Sequence, residues 1–144
     1  MQTTPRRLRK LPSRLLTQTA VHAHRLVSEG LAGSHRYHYS LLAALDEFGP
    51  SSQAELGRRC GIDRSDVVAV VNRLVDAGQV ERAPDPADRR RNIITITPGG
   101  KRELRRLDRA LAGVQERLLA PLSAVEREQL VRLLAKVLTH HAQT

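Results

Sequence analysis

The side chains with chemistry to offer lie between Ser51 and Arg91. Arg64, Ser65, Val68, Ala69 and Asn72 fall on one helix face, the face left when the stripe of Val67, Val70, Val71, Leu74 and Val75 turns inward. These side chains suit the edges of base pairs. Arginine offers paired donors to guanine, asparagine a donor and an acceptor to adenine, and Val68 an apolar contact for a thymine methyl. Asp66 has the acceptor a cytosine amino group needs, but its place in the first turn also suits helix capping. Further on, Arg89, Arg90 and Arg91 crowd one polar segment, APDPADRRRN. An arginine there, Arg90 first, has the reach and charge to enter a minor groove, with Asp88 orienting it through a salt bridge. Ser51, Ser52 and Gln53, with Arg58, Arg59 and Arg73, are expected at phosphates. No glycine-rich phosphate loop, nucleophile elbow or acid–base pair is present in the sequence, so an enzyme is not expected.

The elements that position these groups can be read from their ends. Ser52 with Glu55 predicts a capping box at the start of a short helix, which Gly61 stops. Asp63 caps a second helix and Gly78 ends it. Val80 to Arg82 and Ile93 to Thr97 alternate as strands, so a two-stranded hairpin with a charged tip should follow. Two helices joined through glycine and followed by a hairpin make a winged helix-turn-helix.

The stretch LVDAGQVERAPDPADRRRNIITITPGG also resembles the wing signature of the MarR family of transcriptional regulators. The matched positions are Leu74, Gly78, Val80, Glu81, Arg82, Asp85, Pro86, Asp88, Arg90, Ile96, Thr97 and Gly100, and the order of helices agrees over roughly residues 11–141. The resemblance implies a repressor that binds a pseudo-palindromic operator in double-stranded DNA as a homodimer. It also implies release by a small phenolic or aromatic-carboxylate effector, held between the first two helices and the winged lobe. Arg14, His22, Arg25, Tyr37, His38 and Tyr39 are the candidates to line that crevice, against the plainer reading that they are interface or surface residues. Two positions depart from the family pattern. Ala69 stands where a basic or long polar side chain is common, and Asp66 brings negative charge to the DNA-facing end.

Around this lobe the chain reads as helix. Residues 1–12 form a basic, flexible tail carrying Arg6, Arg7, Arg9 and Lys10. Residues 13–48 hold two helices. The first is capped by Ser13 and closed by Gly30. The second is capped by Ser34, has Leu41, Leu42, Leu45 and Phe48 inward, and ends at Gly49-Pro50. The winged lobe occupies 49–97. Residues 98–144 hold two more helices, one begun by Thr97-Pro98 and one by the Ser123/Glu126 capping box. Leu104, Leu107, Leu111, Val114 and Leu118 repeat as a heptad seam. The terminal helices carry more apolar surface than a small lobe covers, which predicts dimerisation over simple intrachain packing. The fold class expected is mainly α with a small β-hairpin wing, plus N- and C-terminal dimerisation helices.

Composition agrees. A net charge of +9 in 144 residues favours a polyanionic partner, nucleic acid before an anionic membrane surface. Aromatic content of 2% requires an aliphatic core. No apolar run approaches the roughly 20 residues of a membrane span, and no signal-peptide core follows the basic start, so the cytoplasm is expected. The one cysteine, Cys60, permits no intrachain disulfide and reads as a small buried hydrophobe, not a redox switch. His35 and His38 stand at i, i+3 without a matching ligand cluster, so neither metal nor cofactor is expected. A ligand-independent architectural DNA-binding protein is the alternative function.

Overall fold

The computed structural model describes residues 3–32, 34 and 36–143. In chain order the elements are α1 (Arg6–Arg9), α2 (Pro12–Gly30), α3 (His38–Phe48), β1 (Ser51–Ser52), α4 (Gln53–Cys60), α5 (Arg64–Asp76), β2 (Val80–Pro84), β3 (Asn92–Ile96), α6 (Pro98–Leu118) and α7 (Ala124–Ala142). They fall into two compact units, Ser28–Leu111 and residues 1–27 with 112–144.

The Ser28–Leu111 unit has an aliphatic core, as the low aromatic content requires. Leu41, Leu42 and Leu45 of α3, Leu56 of α4, and Val67, Val70, Val71 and Leu74 of α5 bury against Val80 and Ile94 of the sheet. Leu104 and Leu107 of α6 complete this core. The first half of the expected heptad seam is therefore intrachain packing, within the compact unit that runs to Leu111. The sheet has three strands, not two. β3 lies in the middle and pairs antiparallel with both neighbours, Ser51 opposite Ile94 and Val80 opposite Ile96.

Local chemistry sets the element ends. Ser52 caps α4 by accepting the Glu55 N–H at 3.2 Å. The reciprocal half of the expected capping box is not formed. The Glu55 carboxylate instead takes the Ser52 hydroxyl, while Ser52 is held as a strand residue opposite Ile93. Gly61 sits in the left-handed region at φ +65° and turns the chain from α4 into α5. Asp63 occupies the N-cap of α5, but its side chain makes no capping bond. Past α5, the Gly78 N–H reaches Val75 O and the Gln79 N–H reaches Leu74 O, both at 2.9 Å, a Schellman closure. Thr97 caps α6 by accepting the Gly100 N–H at 3.1 Å, and its hydroxyl donates to Gly78 O at 2.7 Å.

Two expectations about α3 are corrected. Its N-cap is Tyr37 rather than Ser34, whose N–H instead closes a turn onto Leu31 O. Phe48 points outward, 54% exposed, with the Arg59 guanidinium 4.3 Å above its ring. A cation over the ring face keeps an aromatic at a helix end without core burial.

The second unit is thinly packed. α2 starts at Pro12, at the favoured first helical position, so Ser13 lies inside the first turn instead of capping it. The basic tail is not wholly irregular: Arg6–Arg9 form one helical turn, and Arg9 Nε donates to Thr4 O at 2.7 Å. The Ser123/Glu126 capping box of α7 is complete, and Arg127 joins it to the end of α6 by pairing with Glu116 at 2.7 Å. Among the described residues, Leu26 and Val114 are this unit's only buried large hydrophobics. Leu15, Leu16, Val131, Leu134, Val137 and Leu138 are all exposed.

Candidate nucleic-acid interface

α5 displays the face its sequence pattern required. Val67, Val70, Val71 and Leu74 are buried, so Arg64, Ser65, Asp66, Val68, Ala69, Asn72 and Arg73 all lie exposed. Beside it runs a groove of about 620 Å³, bounded by Gln53, Gly57 and Arg58 of α4, by Arg64, and by Arg90 and Asn92 of the wing. A second, more open hollow of about 600 Å³ is lined by Asp63, Arg64, Ser65 and Val68. Arg64, at the start of α5, lines both concavities. The groove's helix start, amides and guanidinium groups are chemistry suited to a sugar–phosphate strand.

The wing tip is shaped by its own aspartates. Asp85 Oδ1 accepts the Ala87 N–H at 2.9 Å, and Asp88 Oδ1 accepts the Arg90 N–H at 3.1 Å, two successive Asx turns. The Arg91 N–H to Asp88 O and the Asp85 N–H to Arg91 O close the loop at 2.9 Å each. Asp88 also pairs with Arg90 Nε at 3.2 Å, the orienting contact expected from the sequence. The Arg90 side chain and N–H hold the Asp88 carboxyl below the usual range. The Arg90 side chain remains 91% exposed.

Arg91 takes a different part. It pairs with Glu55 on α4 at 3.5 Å and with Asp85 at 3.7 Å. Glu55 therefore ties the helix-turn-helix to the wing while also accepting from Ser52 and facing Arg59. Nothing in the sequence flagged this brace, because Glu55 had a complete explanation as a cap residue.

Several expected phosphate contacts land elsewhere. Ser51 and Ser52 are 1% and 4% exposed. The Ser51 hydroxyl donates to Gly49 O and accepts from Arg59, so Ser51 holds the chain together, while Ser52 caps α4 and also lines the groove. Arg59 is committed to Ser51 and the Phe48 ring. Gln53 and Arg58 do line the groove. Asn72 has a partner the sequence reading missed: its Oδ1 accepts from Arg82 of β2 at 2.6 Å.

The six effector candidates divide between the units. Arg14, His22 and Arg25 lie on α2, with Arg14 half-buried and the other two exposed. Tyr37, His38 and Tyr39 are half-buried at the start of α3. Both tyrosines pack on the lobe core, and Tyr39 donates its hydroxyl to Asp108 at 2.7 Å, a bond that raises its pKa. His35 lies outside the described residues. Among the described residues no three His, Cys, Asp or Glu side chains gather at a metal-binding distance, and no helix is long and apolar enough to cross a membrane.

Cys60 packs against the lobe core, and its thiol donates to Ser40 O at 3.4 Å. Burial pushes its pKa up and outweighs the neighbouring Arg59. Since the thiolate is the reactive form, alkylation by iodoacetamide at pH 7.5 should run roughly tenfold slower than that of a free cysteine. A rate equal to the free thiol would place Cys60 among reactive cysteines.

These features define a winged helix-turn-helix protein. The MarR family model matches residues 29–91. The transcriptional repressor NicR of Pseudomonas putida is 35% identical over 97 residues, 67% of this chain and 61% of that protein. The PcaV transcriptional regulator of Streptomyces coelicolor, solved with its natural ligand, superposes with a TM-score of 0.77 at 30% identity, covering 96% of this chain and 98% of PcaV. A mutant MarR from Escherichia coli, solved with operator DNA, gives 0.75 at 26% identity, covering 88% and 92%. The chain belongs to the MarR family. It spans 64% and 61% of the length of two curated relatives that it matches at 33% and 35% identity.

Proposed function

We propose that this protein is a transcriptional repressor, working in the cytoplasm, that binds a pseudo-palindromic operator as a homodimer and is released by a small aromatic effector. The observation that carries the reading is the exposed α5 face set beside a groove edged by Arg64, Arg58 and Arg90. Base-edge contact falls to Arg64, Ser65, Ala69 and Asn72, with Val68 at a thymine methyl. Phosphate contact falls to Gln53, Arg58 and Arg73, and minor-groove contact to Arg89 and Arg90. The apolar side chains exposed on α2 and α7 support a second copy of the chain as the partner, since each helix leaves a face uncovered. Ligand-bound PcaV supports an effector; the half-buried Tyr37, His38 and Tyr39 are the residues of the winged unit assigned to it.

The test is selection of duplex DNA from a random pool by the full chain. The expected product is an inverted repeat with half-sites about one helical turn apart. Benzoate and hydroxybenzoates added to the selected duplex should then weaken binding. Retention of all sequences alike, with steep salt dependence and no response to these acids, would replace this reading with an architectural role.

A further inference from the structure

We propose that Arg82, a wing-strand residue, decides which base Asn72 can read. The inference rests on the DNA-binding reading above. It begins with strand geometry. Val80 and Arg82 lie two apart on β2 and so share a face. Val80 is buried against the core at 2% exposure, while Arg82, one pleat further on, clears the core edge and reaches α5. There it donates to Asn72 Oδ1 at 2.6 Å, a short, charge-assisted bond.

The chemistry fixes the direction of the amide. A guanidinium carries donors and no acceptor, so only the carbonyl oxygen of Asn72 can face it. The Asn72 NH₂ group is left to point away from Arg82, and two donors are what it presents. Bidentate recognition of adenine needs a donor for N7 and an acceptor for the N6 amino group together. Oδ1 keeps a second lone pair, but an N6 amino group reaching for it must share the oxygen with the guanidinium, so the NH₂ donors are what Asn72 offers most readily. The base it fits is one with acceptors and no adjacent donor in the major groove: guanine through N7 and O6 first, thymine through O4 second. The adenine expected from Asn72 by residue type is disfavoured here by its neighbour. Arg82 is a positioning residue in this scheme, because its effect on sequence passes through Asn72.

The experiment compares base preferences selected from a random duplex pool by the wild-type chain, Asn72→Ala, Arg82→Ala and Arg82→Lys. Asn72→Ala identifies the base pair that Asn72 reads, as the one whose preference disappears. At that pair the wild type should select guanine or thymine. Arg82→Ala should move the preference toward adenine by on the order of tenfold, and Arg82→Lys, which still donates to Oδ1, should keep the wild-type base. Adenine selected by the wild type would overturn the proposal. So would an unchanged base at that pair in Arg82→Ala, or uniform weakening without a shift. A wild-type chain that enriches no sequence removes the DNA-binding reading itself, a result distinct from any of these.

Discussion

Gly100→Ala will lose about 3 kcal/mol of stability, near the top of the range for forced overpacking, and the urea midpoint will fall by about 1–2 M. Gly100 is buried in the first turn of α6, where a Cβ would stand 2.0 Å from the Gln79 carbonyl oxygen and 2.7 Å from the Ile96 side chain. Backbone cannot step aside as a flexible side chain can. The same carbonyl accepts the Thr97 N–H at 3.1 Å, and Thr97 bonds both Gly100 and Gly78. The end of α5, the start of β2, the end of β3 and the start of α6 therefore meet at one corner, and the new methyl must open it. Gly113→Ala is the internal control. It lies within the same helix with open space around it, so alanine should add about 0.5–1 kcal/mol through helix propensity. Equal midpoints for the two variants would show that the corner does not govern stability.

Arg90→Ala will weaken binding to every duplex by roughly tenfold near 0.15 M salt and lower the slope of log K against log salt by about 1. The side chain is 91% exposed, lines the groove, and is steered by Asp88. Its removal takes away one cation from the groove without touching the core. Asp88→Ala separates shape from charge. It deletes the Asx turn and the pairing but leaves the arginine, so affinity should fall with little change in slope. Fluorescence anisotropy on the selected operator and on a random duplex, across a salt series, reads both quantities. A slope unchanged in Arg90→Ala would remove the wing tip from the contact surface.

The order of helices was legible because their ends carry local chemistry. Gly61, Gly78, Thr97-Pro98 and the Ser123/Glu126 box each act within a few residues, and a linear reading finds them. The outward face of α5 followed from the spacing of its valines. What escaped depends on residues far apart in sequence. β1 is two residues long, too short for any alternation, and exists only through Ile93 and Ile94. Leu104 and Leu107 satisfy a heptad and a lobe core equally well, and only the fold chooses. Phe48 is drawn outward by Arg59, and Asn72 is oriented by Arg82. Within the candidate site, residue types were readable and their pairings were not. Ser51 and Ser52, expected at phosphates by type and position, are buried by the sheet, and no local pattern signals that pairing.

The paired aspartates of the wing bear on how fast a complex forms as well as on how strong it is. A tip already folded by Asp85 and Asp88, and moored to α4 through Arg91 and Glu55, has few conformations left to lose on contact. A loose loop of the same sequence would have to find its shape during the brief lifetime of each encounter. On the DNA-binding reading proposed above, a pre-shaped tip tests each encounter in one attempt, a larger share of well-oriented collisions is productive, and differences among operators are expected mainly in residence time.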